Sequence, residues 1–250
     1  MDATLRDRAV LLGDTLVVAD LHVGRGTASN VELPLGERDH LLERLSALVD
    51  RYDPETVVVA GDFLHSFDRV PSDVRETVRA LSGRVRESGT RLIVTPGNHD
   101  SMLDSVWQGP TETEYTLSGI PEVVEADSSH EGTIQNGEGD GRTVVCHGHT
   151  EPAADADCYV IGHDHPAITV EGRKWHCYLY AADAYRGAAV LVLPAFTHLA
   201  GGVSINRRHG TADLSSPLVA DLDRFQPIVR DEEADETRAF PPLGEFRELL

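Results

Sequence analysis

The sequence predicts an α/β protein with two β-sheets, the first largely parallel and the second more antiparallel. Between residues 9 and 95, near-continuously apolar runs alternate with amphipathic helical patterns, which is typical of parallel strands joined by helices. After residue 142 the helical periodicity fades and short strand-like runs multiply. A chain of 250 residues can bury an extensive core. We therefore expect one domain at 1–230, followed by an acidic tail at 231–250 with a short docking helix.

The first half predicts a β-α-β-α-β arrangement with right-handed crossovers. Its strands are expected within 9–19 (two short ones around Gly13-Asp14), at 56–60 and at 91–95, because these runs are apolar on both faces. Helices are expected at 37–51 and 71–88, with a short one before Trp107. Apolar residues recur at helical spacing, namely Leu41, Leu42, Leu45, Leu48 and Val49 in the first helix and Val74, Val78, Leu81 and Val85 in the second.

The second half predicts a second sheet of shorter strands packed against the first. Strands are expected at 142–146, 158–161, 167–171, 175–180, 188–193 and about 202–206. The charged stretch 231–238 lacks apolar periodicity, so we expect it to be solvated and mobile. A final helical turn at 244–250 would dock through its apolar side chains, Phe246, Leu249 and Leu250.

The chain is strongly acidic, with a formal net charge of −20 at pH 7. Lys174 is the one lysine, and acidic excess with few lysines predicts adaptation to high salt, where screening weakens self-repulsion. An ordinary acidic protein is the alternative. The charge argues against a broad basic surface for nucleic acid. No apolar run approaches the ~18 residues of a membrane helix, and no signal-peptide pattern is seen, so we expect a cytoplasmic protein without a membrane partner.

Side chains that can bind metals follow five of the predicted strands. They are Asp20 and His22, Asp62, Asn98 with His99 and Asp100, His147, and His163 with His165. Alone, each has an ordinary explanation, such as a loop ion pair, a helix cap or a turn asparagine. Together they indicate a site, because ligands of such sheets bind beyond the carboxyl ends of the strands, where residues i and i+2 face the same way. Mixed histidine, carboxylate and amide ligation suits Mn, Fe or Zn, and two ions that share one carboxylate would need about this set.

These motifs resemble those of the calcineurin-like metallophosphoesterase superfamily. In order they are Asp20-x-His22, Gly61-Asp62, Gly97-Asn98-His99-Asp100, His147 and Gly162-His163-x-His165. The resemblance implies a four-layer α-β-β-α sandwich, which agrees with the two predicted sheets. The flanking segments 18–24, 61–66, 147–149, 161–166 and 193–196 further resemble an archaeal phosphoesterase branch related to bacterial DNA ligase-associated phosphoesterases.

The resemblance also implies a role for each residue. Asp20, His22 and His165 would bind one divalent metal ion, Asn98, His147 and His163 a second, and Asp62 both. The metal is expected to be manganese, with iron and zinc as alternatives. His99 would be the general acid, with its imidazole oriented by Asp100. Apart from the resemblance, the position of Arg25 three residues after His22 suggests a contact with a substrate phosphate, although a solvated loop arginine explains it nearly as well. His65 and His149 could donate hydrogen bonds to the metal ligands.

The predicted function is a dinuclear, metal-dependent phosphodiesterase acting on nucleic acid or nucleotides. Two metal ions would supply a hydroxide nucleophile and offset the phosphate charge, which explains how so acidic a chain could bind an anion. A phosphomonoesterase of small molecules with the same site is the first alternative. The second is a non-catalytic, metal-bound scaffold associated with nucleic acid, although His99 and the complete ligand set argue against it. The sequence identifies no protein partner.

Overall fold

A computed structural model describes residues 1–28, 36–65, 69–123, 141–206 and 214–249. The strands are β1 Ala3–Arg6, β2 Ala9–Leu12, β3 Thr15–Val18, β4 Thr56–Ala60, β5 Arg91–Thr95, β6 Tyr115–Ser118, β7 Arg142–Cys146, β8 Cys158–Ile161, β9 Pro166–Val170, β10 Arg173–His176, β11 Tyr178–Tyr185, β12 Ala188–Val192, β13 Val203–Ser204, β14 Gln226–Asp231 and β15 Glu236–Ala239. The α-helices are α1 Arg25–Ala28, α2 Glu37–Tyr52, α3 Ser72–Glu87 and α4 Leu243–Phe246, with 3-10 helices at Leu103–Ser105, Leu222–Arg224 and Arg247–Leu249. None of the described helices is long and apolar enough to cross a membrane.

The first sheet has the strand order β1-β2-β3-β4-β5. β3, β4 and β5 are parallel neighbours connected through α2 and α3, so the predicted β-α-β-α-β arrangement is confirmed. β1 and β2 extend the sheet beyond β3 as antiparallel strands. The short helix expected before Trp107 is a single 3-10 turn at Leu103–Ser105.

The second sheet has the order β15-β14-β11-β12-β8-β7-β6, and only its β12-β8 and β8-β7 pairs are parallel. A third sheet has the order β10-β9-β13. The single strand predicted at 175–180 is therefore wrong, because the chain changes sheets at Cys177. The N–H of Cys177 donates to the carbonyl of Pro166 at 3.1 Å, between the end of β10 and the start of β11.

Alternate residues of the inner strands pack into different hydrophobic cores. Val57 and Val59 of β4 pack in the core beneath α2 and α3, while Val58 and Ala60 pack in the core between the two sheets. This division follows from the alternation of side chains across a strand. β8 divides in the same way between the inter-sheet core and the outer face of the second sheet. The predicted sandwich of packed layers is confirmed.

The layer over the outer face of the second sheet contains little helix in the described residues. The three-stranded sheet, the segment around Phe225 and α4 cover this face. α4 and the 3-10 helix after it coincide with the helical turn expected at 244–250, except that Leu250 lies outside the described residues.

The charged stretch 231–238 is exposed, as expected, but part of it is structured. β14 extends to Asp231, and β15 pairs with it, with Ile228 opposite Ala239 at one end and Asp231 opposite Glu236 at the other. Backbone pairing thus forms β15, a strand that the sequence did not predict, while most of its side chains remain in solvent. The mobility of this stretch stays a prediction.

Candidate metal centre

Five strand ends bring all seven predicted ligands to one edge of the packed sheets. Asp20 and His22 follow β3, Asp62 follows β4, Asn98 follows β5, His147 follows β7, and His163 and His165 follow β8. β3, β4 and β5 are parallel to one another, as are β7 and β8, so the carboxyl ends within each sheet coincide. The N–H of His163 donates to Asp20 Oδ2 at 3.0 Å, which links the two sheets directly.

The backbone at most of these positions is left-handed. The φ angles are 56° at Asp20, 47° at His22, 45° at Asp62, 70° at His163 and 46° at His165. Such conformations cost ~1–3 kcal/mol each in non-glycine residues and persist where the surroundings impose them, often at functional sites. Asp20 and His22 therefore converge through left-handed turns beyond β3, and not through the strand alternation expected from their spacing.

Three glycines let the ligand loops approach one another. A Cβ on Gly61 would lie 2.0 Å from His147 Nδ1, one on Gly97 2.2 Å from Asp62 Oδ1, and one on Gly162 2.5 Å from Asp20 Oδ2. A side-chain carbon does not fit at these distances. The glycine that opens each motif is therefore needed for the close packing of a ligand from another loop.

The first group of ligands is formed by Asp20, His22 and His165, whose ligand atoms all lie within 4.8 Å of one another. His165 Nε2 lies 3.3 Å from both Asp20 Oδ1 and His22 Nε2. Asp62 Oδ2 lies 3.8 Å from His22 Nε2. Imidazole nitrogens and carboxylate oxygens thus converge on a shared space, as ligands of one ion would.

The second group of ligands surrounds His147. Its Nε2 lies 3.0 Å from Asn98 Oδ1, 3.1 Å from His163 Nδ1 and 3.5 Å from Asp62 Oδ1. Because Asp62 Oδ2 faces the first group, this carboxylate lies between the two groups. The ring of His149 packs beside His147, with a centroid separation of 5.1 Å.

The protonation preferences of these groups fit a divalent cation. Burial, together with the charge of Asp20, raises the pKa of Asp62 to about 8. Burial lowers the pKa of His22 to about 3 and that of His147 to about 4, so both imidazoles are neutral at pH 7. Burial would also raise the pKa of Asp20, but the charge and the hydrogen bond of His165 lower it below its usual value. Metals bind neutral imidazoles and ionised carboxylates. A cation bound here would therefore displace the proton that Asp62 carries at pH 7.

His99 lies at the margin of the first group. Its Nε2 is 3.9 Å from Asp62 Oδ2, and its ring stacks on that of His65 with a centroid separation of 5.0 Å. His65 Nδ1 is 3.4 Å from His22 Nδ1, so His65 contacts a predicted ligand. Burial lowers the pKa of His65 to about 4 and also lowers the pKa of His99, and the charge of Arg25 acts in the same direction on both. The positive charge of Arg25 therefore lies on the side of the centre where His65 and His99 stack.

Asp100 makes contacts that the sequence did not indicate. Its Oδ1 accepts the N–H of Leu64 at 2.8 Å, and its Oδ2 accepts the N–H groups of Phe63 at 3.1 Å and Gly97 at 2.8 Å. These bonds join the loop after β4 to the loop after β5, and hence the supports of Asp62 and Asn98. The orientation of the His99 imidazole by Asp100 stays a prediction.

Two further carboxylates position the ligand loops and were missed from the sequence. Glu37, buried in the first turn of α2, accepts the N–H groups of Gly24 and Gly26, both at 3.2 Å. Asp164 accepts the N–H of Ser215 at 2.7 Å and so fixes the segment between His163 and His165. The available signals were weak, because an acid in a first helical turn usually complements the helix dipole, and Asp164 stood inside a motif without an assigned role.

The family model described as calcineurin-like phosphoesterase matches residues 14–175. This range contains all seven predicted ligands together with Arg25, His99 and Asp100. No curated protein sequence matches the chain significantly.

Two solved structures can be compared with the chain. The crystal structure of the Pseudomonas putida nuclease MPE has a TM-score of 0.55 and 20% sequence identity, over 94% of this chain and 92% of that one. The E. coli phosphoesterase Yfce has a TM-score of 0.41 and 16% identity, over 91% of this chain and 98% of that one. The likeness to the first structure indicates a shared fold.

Proposed function

Since the chain belongs to the calcineurin-like phosphoesterase family, we propose that this metal-dependent phosphoester hydrolase is a dinuclear phosphodiesterase of nucleic acid or nucleotides. The observation that carries the proposal is the position of Asp62, whose Oδ2 faces the group around His22 and whose Oδ1 faces the adjoining group around His147. A single ion would need only one of these groups. The nuclease that shares the fold supports nucleic acid as the substrate class, as does the resemblance of the motif flanks to the DNA ligase-associated branch.

Seven side chains would form the proposed centre. Asp20, His22 and His165 would hold one ion, Asn98, His147 and His163 would hold the other, and Asp62 would be shared by both. When bound, the two ions supply a hydroxide nucleophile near neutral pH and offset the charge of the phosphate. We propose manganese as the metal, because mixed nitrogen and oxygen ligation suits it, with iron and zinc as alternatives.

His99 would carry the proton that the leaving oxygen takes up. Its side chain is 24% exposed, whereas those of His22 and His147 are each 1% exposed, so a substrate can reach His99 more readily. Burial and the charge of Arg25 lower the pKa of His99 in the free protein. An anionic phosphate beside the ring raises that pKa and favours the protonated form that a general acid needs. Arg25 would pair with oxygens of the same phosphate.

Hydrolysis of two model substrates by the Mn²⁺-loaded protein tests the proposal. We expect a higher kcat/KM for bis(p-nitrophenyl) phosphate, a diester, than for p-nitrophenyl phosphate, a monoester. The opposite preference would favour the phosphomonoesterase alternative. Metal-loaded protein that binds an oligonucleotide but cleaves no phosphoester would establish the scaffold alternative.

The His99→Ala variant separates catalysis from metal binding. We expect it to retain its metal and to lose about 10²–10⁴-fold in kcat, the usual contribution of a general acid. The loss should be larger for a dinucleotide, whose alkoxide leaving group needs a proton, than for the p-nitrophenyl diester, whose leaving group does not. Equal losses on both substrates, or loss of metal, would contradict the assigned role.

We also propose that the protein works in the cytoplasm at high salt, and that residues 1–230 form its catalytic domain with 231–250 as an acidic extension. The net charge of −20 and the single lysine support the salt adaptation. The dependence of stability on KCl concentration, described below, tests it.

A further inference from the structure

A cavity distinct from the candidate metal centre lies at the same edge of the sheets. Its volume is about 480 Å³, and residues of the β1–β2 turn, α2, β10 and β14 line it. β2 is antiparallel to β3, with Val10 opposite Val17, so Arg8 lies beside the carboxyl end of β3. β11 is antiparallel to β12, with Leu179 opposite Val192, so the start of β11 lies beside the carboxyl end of β12. The cavity therefore shares the edge at which the predicted ligands meet.

Three cations of this cavity lack a carboxylate partner in the described part of the chain. Arg44 and Arg230, also in its wall, form ion pairs with acidic residues. Arg8, Arg173 and Lys174 form no ion pair with any described residue. Lys174 is also the only lysine of a chain with a net charge of −20. Four carboxylates, those of Asp7, Asp231, Glu232 and Glu233, also line the cavity, so its five cations exceed its anions by one. In so acidic a chain, a positive excess beside the candidate metal centre favours an anionic ligand.

Arg8 is half-buried, and hydrogen bonds through one residue, Thr197, connect it to the predicted metal ligand Asp20. Its Nη1 donates to the carbonyls of Ala195 at 3.2 Å and Thr197 at 2.8 Å, and the N–H of Thr197 donates to the carbonyl of Asp20 at 3.5 Å. Burial and the charge of Arg44 lower the pKa of Arg8 to about 10, so it stays charged at pH 7. The charge of Asp7 partly offsets the burial of this cation but forms no ion pair with it, and an anion bound in the cavity would stabilise the buried cation further.

Lys174 has a similarly short connection to the metal centre. Its Nζ donates to the carbonyl of Gly202 at 2.6 Å. The N–H of the same peptide group belongs to Val203 and donates to the carbonyl of His165 at 2.8 Å. One peptide group therefore separates this ammonium from a predicted ligand of the first ion.

His40 and His176 also line the cavity, but their Nδ1 atoms are buried and are not exposed to a ligand there. The guanidinium of Arg173 lies 3.9 Å from the centre of the Trp175 ring, and this stacking orders the side chain without using its N–H donors.

We propose that this cavity binds a phosphate group of a single-stranded nucleic acid, adjacent to the phosphodiester held at the metal centre. The proposal rests on the proposed function and deepens it, because it identifies a second contact with the same substrate. Arginine and lysine donors suit the oxygens of a phosphate, and the volume lies within the ~300–1,000 Å³ of typical ligand sites. An acidic peptide would satisfy the charges equally but would have no reason to lie beside a phosphoesterase centre.

A basic groove elsewhere on the protein supplies a matched control. It runs along α3 and β5 and is lined by four arginines, Arg75, Arg79, Arg86 and Arg91. Arg79 and Arg86 are exposed, as Arg173 and Lys174 are. Replacement of either pair by alanine removes two positive charges from solvent-exposed positions. The first pair also loses the stacking of Arg173 on Trp175 and the hydrogen bond of Lys174 to Gly202, so a charge-conserving variant is needed beside it.

The experiment compares Arg173→Ala/Lys174→Ala with Arg79→Ala/Arg86→Ala. Binding of a fluorescein-labelled single-stranded oligonucleotide with nuclease-resistant phosphorothioate linkages to the Mn²⁺-loaded protein is followed by fluorescence anisotropy over a range of salt concentrations. The slope of log affinity against log salt changes by ~0.7 for each phosphate contact of a single strand. We expect the slope to become shallower by about 1.4 in the first variant and to stay unchanged in the second. The charge-conserving variant Arg173→Lys/Lys174→Arg should keep the wild-type slope.

A wild-type slope in Arg173→Ala/Lys174→Ala would overturn the proposal, and so would wild-type protein that does not bind the oligonucleotide. A shallower slope in Arg79→Ala/Arg86→Ala alone would assign the strand to the α3 groove and would also overturn it. Hydrolysis of bis(p-nitrophenyl) phosphate by the wild-type protein reports the proposed function separately. If the wild-type protein hydrolyses no diester but the salt slope still becomes shallower in Arg173→Ala/Lys174→Ala, the proposed activity is wrong and the phosphate-binding cavity is supported.

Discussion

Replacement of Gly97 by alanine tests whether close packing of the loops places the proposed bridging ligand. The new Cβ would lie 2.2 Å from Asp62 Oδ1 and 2.5 Å from the backbone nitrogen of Asp62. Ordinary contact begins at 3.4 Å, so the carboxylate oxygen has to retreat by about 1.2 Å, several times the ~0.2 Å tolerance of metal–ligand distances. Gly97 does not have a left-handed φ, so the effect is steric and not a consequence of backbone strain.

We expect Gly97→Ala to lose bound metal, because Asp62 can no longer reach both groups of ligands. A displacement of about 1 Å typically costs ~10²-fold in rate, and we expect a loss of that order in kcat/KM for bis(p-nitrophenyl) phosphate. Metal content is measured by mass spectrometry after equilibration with Mn²⁺ and removal of the excess. Thermal unfolding of the metal-free protein, followed by circular dichroism, shows whether the fold persists.

Gly83→Ala is the matched control for this substitution. Gly83 lies within α3, and a Cβ there would have no atom within 4 Å. Alanine is favoured over glycine in a helix by up to ~1 kcal/mol, so this variant should keep its metal and activity and unfold at a slightly higher temperature. Gly97→Ala protein with wild-type metal content and wild-type activity would refute the packing argument.

Three further predictions concern the supports of the site and the charge of the chain. Asp164→Asn should weaken Mn²⁺ binding by ~10–100-fold, as is typical of groups that support metal ligands, and calorimetric affinity equal to wild type would exclude this role. Glu37→Ala removes the buried carboxylate that accepts the N–H groups of Gly24 and Gly26 and should lower the free energy of unfolding by ~1–3 kcal/mol in urea titrations; an unchanged urea midpoint would contradict this. Raising KCl from about 0.1 M to 1 M shortens the Debye length from ~10 Å to ~3 Å and should raise the urea midpoint, whereas a falling midpoint would argue against salt adaptation.

The layers of the fold could be predicted because burial leaves a direct trace in the sequence. Thr56–Ala60 is apolar on both faces, and its alternate residues do pack into two different cores. The same physics failed for β15 at Glu236–Ala239, whose side chains are largely exposed and which is defined by backbone pairing with β14. An edge strand of this kind has no apolar signature, so pattern alone cannot reveal it.

The composition of the candidate site was also visible in the sequence, but the way it is assembled was not. The left-handed turns at Asp20 and His22 are bounded by backbone hydrogen bonds to the loop after β4, including His22 N–H to the carbonyl of Asp62 at 2.8 Å. Those contacts join positions far apart in the chain. For the same reason, the three amide contacts of Asp100 could not be predicted from its place beside His99.

The most direct test of the proposed dinuclear phosphodiesterase is a titration of metal-free protein with Mn²⁺, with hydrolysis of a single-stranded oligonucleotide as the readout. At a protein concentration well above the metal dissociation constants, activity should rise to a plateau at two ions per chain. A plateau at one ion per chain would contradict the role of Asp62 as a ligand shared by two ions. A complete absence of phosphodiester cleavage at any ratio would contradict the proposed reaction.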